Sequence, residues 1–296
     1  MDARQLSRTA AERLPKPVVT LARSTVESFG TLTSPLRLSP SFLVVGAQRA
    51  GTTTMYRLLS DHPDVVRPTA AKGIGYFDLN YAKGSRWYRG HFPLTAVAER
   101  RLSGRQPHTF ESSGYYLFHP LAAERIAHDL PGIRVIVMVR DPVERAYSAH
   151  SHELARGFET EPFERALELE DERLAGVEER LRTDPAFHSF EHRHHAYLAR
   201  SRYAEQIERF IGHLGRERVL IVDADAFFAH PQDEFIALCA QLGLREWRPE
   251  RVDKWNPRKR DTMDPQLRQR LMDHFAPHDE HLARLLGTTP SWRQTP

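Results

Sequence analysis

Cys239 is the single cysteine of the 296-residue chain, so no internal disulfide forms and no cysteine framework is available for zinc. Long apolar runs are missing too. Stretches such as Phe42 to Val45 and Val135 to Val139 fall far short of the roughly 20 residues that span a bilayer, and no apolar leader core follows Met1. Both absences fit a cytoplasmic protein. Charge of one sign is also scarce: 42 basic and 39 acidic side chains leave a net charge of +3. The two signs are interleaved, which argues against a nucleic-acid-binding surface. There is no low-complexity tract, no repeat, and no Pro/Gly/Ser-rich linker after Ser41.

What is present is ordinary globular composition, 40% apolar and 27% charged, in a chain long enough to bury roughly 75% of its unfolded surface. From Ser41 onward, short apolar strands alternate with longer amphipathic patterns. Strands are expected at Phe42–Gly46, Thr109–Glu111, Arg134–Val139 and Arg218–Val222. Helices are expected at about 51–61, 119–129, 142–156, 162–181, 190–214, 231–242 and 264–275. Tyr203, Ile207, Phe210, Ile211 and Leu214 form one helical face, and Asp141, Pro142 and Glu144 mark a capped helix start. The pattern predicts an α/β chain with a central parallel sheet flanked by helices. Residues 41–296 read as one domain. Residues 1–40, with Arg4, Arg8, Arg13, Lys16, Arg23 and Arg37 and four prolines, read as a loosely docked arm, with a peripheral membrane contact as the alternative.

The stretch SFLVVGAQRAGTTTMYRLLSDHP is a strand, a glycine-bearing loop and a helix. Gly46 and Gly51 have Walker spacing, but Thr52 stands where the lysine belongs and Arg49 is the loop's cation. Such a loop binds an anion through its amides and the positive helix end, with the hydroxyls of Thr52, Thr53 and Thr54 as further donors. The same glycines also suit a plain tight turn. A second anion site is expected in VIVMVRDPVERAYSAHSHE, where Arg140 ends a strand and Ser148 lies about two turns into the next helix. Two anion sites on one sheet suggest a nucleotide phosphorylated at both ends of its ribose.

Together, VVGAQRAGTTTMYRLLSDHPDV and RDPVERAYSAH resemble the sulfotransferases that use 3′-phosphoadenosine 5′-phosphosulfate (PAPS), in particular bacterial relatives of the heparan sulfate group. Further likeness lies in GYFD, SRWYRGHFP, ESSGYYLFHP, ARSRYAEQIERF and the C-terminal LRQRLMDHFAPHDEHLARLLG. The resemblance implies a P-loop-like three-layer fold and PAPS as co-substrate, without a metal. It places Arg49 and the amides of Ala50, Gly51, Thr52, Thr53 and Thr54 on the 5′-phosphosulfate, and Arg140 and Ser148 on the 3′-phosphate. Arg258, Lys259 and Arg260 would form a basic closing loop, and Arg200-Ser201-Arg202-Tyr203 matches a segment that often meets the nucleotide in this family, with a plain helix start and Tyr203 facing the core as the alternative. The acceptor would be a hydroxyl or amine of a glycan, lipid or small metabolite. An ATP-dependent kinase and a catalytically inactive nucleotide- or partner-binding module are the competing readings.

Sulfuryl transfer needs fixed donors for the departing phosphate oxygen, and Arg49 neutralises charge there but is a poor proton donor. Lys72 is a candidate for the sulfuryl oxygens. Heparan-type enzymes often carry glutamate after that lysine, whereas AAKGIGYFD has Gly73. Glu111 is therefore the first candidate for the base, with pairing to Arg49 or Lys72 as its structural alternative, and Asp78 is the second. His188, His192, His194 and His195 cluster in sequence, either flanking an acceptor cleft or lying on the surface. Trp87 and Tyr88 either stack on a sugar or pack the core.

Overall fold

The structure, a computed structural model, describes residues 16–68, 72–252 and 262–294. Its sheet is built from β1 (Phe42–Gly46), β2 (Phe110–Ser112), β3 (Arg134–Val139) and β4 (Val219–Asp223), all parallel, in the order β2-β1-β3-β4. β1 is buried along its whole length, as is β3 beyond Arg134. This is the expected state of strands covered by helices on both faces. Phe42 pairs with Phe110 on one side and Arg134 on the other, and the β1–β3 register slips so that Gly46 lies opposite Val137.

The strand order positions the site. From β1 the chain moves outward to β2, then crosses back to β3 on the other side of β1. The connections therefore diverge at the carboxyl ends of β1 and β3, leaving the crevice in which parallel α/β sheets bind ligands. The loop after Gly46 and the strand-end Arg140 both flank it, and Ala47 N–H donates to the Met138 carbonyl at 2.8 Å across it.

Helix Tyr203–Leu214 buries Tyr203, Ile207, Phe210 and Leu214 against the sheet, the face its period indicated. A second apolar cluster joins Val143, Ala146 and Ala149 to Phe163, Tyr197, Leu271 and Phe275. The C-terminal helix Pro265–Leu286 thereby packs on the helix Pro142–Leu154 that follows β3. The described part of the segment before β1, from Lys16, is anchored as well. Its helix Lys16–Leu32 lies on helix Ser85–Arg89, Trp87 Nε1 donates to Glu27 Oε2 at 3.2 Å, and buried Arg37 donates to the Phe92 carbonyl at 2.6 Å. Among the described residues, no helix is long and apolar enough to cross a membrane.

Three expected helices differ in extent. The region 162–181 is divided into Phe163–Glu168, Glu170–Leu174 and Val177–Thr183, with left-handed Gly176 at the last break. The region 190–214 is interrupted because the Glu170 carboxylate takes the N–H groups of Tyr197, Leu198 and Ala199 at 2.7–2.8 Å. A continuous helix would have bonded those groups internally. The helix expected to end near 275 runs through Pro277 to Leu286.

Candidate functional site

The loop turns into helix Thr52–Asp61 at Gly51, whose φ of +90° is left-handed. A Cβ there would meet the Phe228 ring at 2.9 Å, so the turn requires glycine. Beyond it the opening amides of the helix face the crevice, where a helix N-terminus favours an anion. Arg49 adopts φ +73°, and its Nε donates to Ser148 Oγ at 3.0 Å. Lys72 joins the group: its Nζ lies 3.1 Å from Thr53 Oγ1 and 3.4 Å from Thr52 Oγ1. Burial, with Arg49 and Arg57 nearby, pushes the Lys72 pKa down to about 8. The fold thus gathers Arg49, Thr52, Thr53, Lys72 and Ser148 around one concentration of positive charge. Ala50 and Thr54 are buried, and their N–H groups already donate to the Ala47 carbonyl at 3.2 Å and the Gly51 carbonyl at 3.0 Å.

Arg140 ends β3 with its side chain 28% exposed, 3.9 Å from Glu144. Glu144 is itself held by Arg268 at 2.6 Å. Asp141 caps the following helix through Val143 N–H at 2.8 Å and Glu144 N–H at 3.3 Å, and this turns Ser148 toward Arg49 on the helix's buried side. Tyr203 is enclosed, and its hydroxyl donates to the Arg140 carbonyl at 3.0 Å. It reaches this site through Arg140's backbone. Arg258, Lys259 and Arg260 lie outside the described residues.

Glu111 is fully buried at the start of the strand-end turn of β2. Its Oε1 accepts from Ile74 N–H at 2.8 Å, Gly75 N–H at 3.2 Å, Ser113 Oγ at 2.6 Å and Tyr116 OH at 2.7 Å. No ion pair with Arg49 or Lys72 forms among the described residues; the carboxylate orients the backbone that follows Lys72. Gly73 fits tightly against the same turn, since a Cβ on it would lie 2.8 Å from both the Ser112 carbonyl oxygen and Ser113 Oγ. Asp78 sits in helix Tyr76–Leu79, bonded to Leu79 N–H at 2.6 Å. Burial first, and Glu111 second, raise its pKa to about 7.

The four histidines do not converge on one point. His192 meets Tyr115 OH at 2.7 Å and stacks on Phe118, His194 meets Glu153 Oε2 at 2.9 Å, and His195 meets the Phe158 carbonyl at 2.8 Å. All three are buried, and His188 is exposed. Among the described residues, no group of three histidine, cysteine or acidic side chains is arranged to hold a metal. Tyr88 is in the core, stacked on Tyr76, while half-buried Trp87 packs on its edge. Arg200, in the segment that resembles a nucleotide-meeting one, reaches the glycine loop itself: its Nη1 donates to Gln48 Oε1, 152 positions away.

A parallel sheet whose switch point carries a glycine loop on one strand and an arginine on its neighbour defines an anion-binding α/β protein of the P-loop-like class. Residues 39–263 match the model of the sulfotransferase domain family, and the chain belongs to that family. It is similar to a sulfotransferase from Alicyclobacillus acidocaldarius, with a TM-score of 0.62, 29% identity and coverage of 87% of this chain and all of the other. It is 27% identical to the bifunctional heparan sulfate N-deacetylase/N-sulfotransferase 2 of Bos taurus, over 86% of this chain but only 30% of that protein. The membrane-associated sulfotransferase kil1 of Dictyostelium discoideum is 24% identical over 86% of this chain and 66% of its own length. The chain therefore spans less than a third of the heparan-modifying relative.

Proposed function

We propose that this sulfotransferase takes its sulfuryl group from PAPS and passes it to a hydroxyl or amine of a glycan, lipid or small metabolite. The observation that carries the donor assignment is the 3.0 Å contact between Arg49 and Ser148. It joins the loop after β1 to the helix after β3, so a 5′-phosphosulfate on the loop and a 3′-phosphate at Arg140 and Ser148 lie within one nucleoside's reach. A Walker lysine is absent at Thr52, which disfavours ATP with magnesium.

In this reading the acceptor oxygen or nitrogen bonds to sulfur while the bond from sulfur to the 5′-phosphate oxygen breaks, releasing 3′,5′-adenosine bisphosphate. Arg49, Lys72 and the amides of Gly51 to Thr54 hold the charge that builds on the departing oxygen and the equatorial sulfuryl oxygens. Lys72 is also the group able to give that oxygen a proton, because its depressed pKa of about 8 lies near neutrality, whereas arginine keeps its proton. The acceptor's proton goes to a carboxylate. Both candidates are buried: Glu111 has Oε1 committed to four donors and Oε2 without a hydrogen-bond partner among the described residues, while Asp78 accepts from Leu79 N–H and has a pKa raised to about 7, near that of a base working at neutral pH. We assign that duty to Asp78.

The test is a thermal-shift series. Stabilisation by 3′,5′-adenosine bisphosphate far above that by ATP, with or without magnesium, is expected. Preference for ATP would favour a kinase, and no shift with either would favour an inactive module.

A further inference from the structure

Arg200 lies in the turn between helices Phe190–His194 and Tyr203–Leu214, 3% exposed. Besides Gln48, its guanidinium donates to the carbonyls of His192 at 2.6 Å and Arg193 at 2.9 Å, and its carbon lies 5.3 Å and 5.0 Å from the Tyr115 and Phe118 ring centroids. No carboxylate of the described residues is within ion-pair distance, and its buried Nε has no hydrogen-bond partner. An enclosed guanidinium without a counter-charge costs stability. Simple packing would be met better by an apolar side chain.

The turn around it is braced from both sides. Glu170 holds the amides of residues 197–199. Gln206 Nε2 donates to the carbonyls of Ala199, Arg200 and Arg202 at 3.3, 3.1 and 2.8 Å. Ser201 Oγ accepts from Arg145 Nε at 2.6 Å. Such bracing fixes one side chain against the loop from beneath, at a residue next to Arg49.

We propose that Arg200 is a positioning residue for the donor: through Gln48 it sets the backbone of the Gly46–Gly51 loop, and its unmatched charge is balanced when an anion occupies that loop. The proposal rests on reading this loop as the donor site. It assigns a role to the network that Glu170, Gln206 and Ser201 build, and it couples the helix-rich segment 142–202 to donor binding.

The experiment is calorimetry with 3′,5′-adenosine bisphosphate on the wild-type protein, Gln48→Ala, Arg200→Met and the double variant. Each single change is expected to weaken binding about tenfold, the scale of one hydrogen bond to a charged group. The double variant should bind no more weakly than the weaker single one. Donor KM should rise while acceptor KM holds. Effects that multiply, or singles that bind normally, overturn the proposal. Because Arg200→Met can fail to fold, Gln48→Glu is the companion: it supplies the missing counter-charge without cutting the tether. It should raise the Tm of the ligand-free protein and weaken bisphosphate binding. A raised Tm with unchanged affinity would leave Arg200 a structural cation only. Loss of binding by the wild-type protein would instead refute the reading of the loop, before any variant is compared.

Discussion

If Lys72 meets the donor as proposed, binding is expected to be pH-dependent in a window where the ligand itself does not titrate. Its pKa is held at about 8 against an ordinary 10.5, by burial and then by Arg49 and Arg57. The gap corresponds to about 3 kcal/mol by which the charged lysine is disfavoured in the ligand-free fold. Between about pH 8 and 10.5 the unfolded chain binds more protons than the folded one, so the ligand-free protein gains stability as pH rises through that range. Below about 8 both states are protonated and the full penalty is present. A bound anion removes the cause. With phosphate oxygens beside Thr52 and Thr53, Lys72 regains a partner and its pKa returns toward the ordinary value. Binding above pH 8 then requires proton uptake. At pH 9 only about one ligand-free molecule in ten has a protonated Lys72, so Kd for 3′,5′-adenosine bisphosphate is expected to be about tenfold higher than at pH 7. The phosphates, with a second pKa near 6, stay ionised throughout, and the arginines stay charged. Calorimetry at pH 7, 8 and 9 in buffers of different ionisation enthalpy reads both the affinity and the proton uptake. Lys72→Met should bind more weakly at pH 7 and show no step. A flat wild-type profile, or the same slope in the variant, would refute the placement of Lys72 on the donor.

Arg140→Ala should raise the bisphosphate Kd about tenfold to a hundredfold, with little change in Tm because the side chain is partly exposed; unchanged affinity would remove it from the 3′-phosphate. Gly73→Ala should lower Tm, since its Cβ would press on the Ser112 carbonyl and Ser113 Oγ. Overpacking of this kind costs about 1–3 kcal/mol, and an unmoved Tm would show that the turn yields freely. Asp78→Asn should cut turnover by about 10²–10⁴ while leaving bisphosphate affinity nearly intact. Glu111→Gln should keep turnover within a few-fold, because it retains the oxygen that accepts from Ile74 and Gly75. The opposite ranking in steady-state rates would return the base to Glu111.

The strands were legible almost to the residue because apolar side chains without alternation leave few other structures for runs as short as Phe42–Val45 and Val135–Val139. Their flanking Gly46 and Arg140 were legible for the same reason, and with them the two strand ends of the candidate site. Helix interruptions were not. The break at residues 195–202 is set by Glu170, whose carboxylate outcompetes the helix for three amides, and no local pattern in HSFEHRHHAYLARSRY marks a competitor some 27 residues upstream.

The same distinction separates the parts of the candidate site. Arg49, Thr52, Thr53 and Ser148 could be grouped from motif order, since each stands at a fixed distance from a strand end. Glu111 could not be divided between base and brace from the sequence, because a carboxylate at a strand end suits either role. Its environment favours the brace: four donors converge on Oε1, two of them the backbone N–H groups of Ile74 and Gly75 beside Lys72. The departure at Gly73 follows from the same geometry. With the Glu111 turn drawn this close, a side chain at residue 73 has no room against Ser112, so a glutamate there and the present Glu111 brace exclude each other unless the turn opens. On the proposed reading the acceptor's proton passes to a carboxyl outside that turn, and Asp78, its pKa raised to about 7 by burial first and by Glu111's charge second, is the group assigned to receive it.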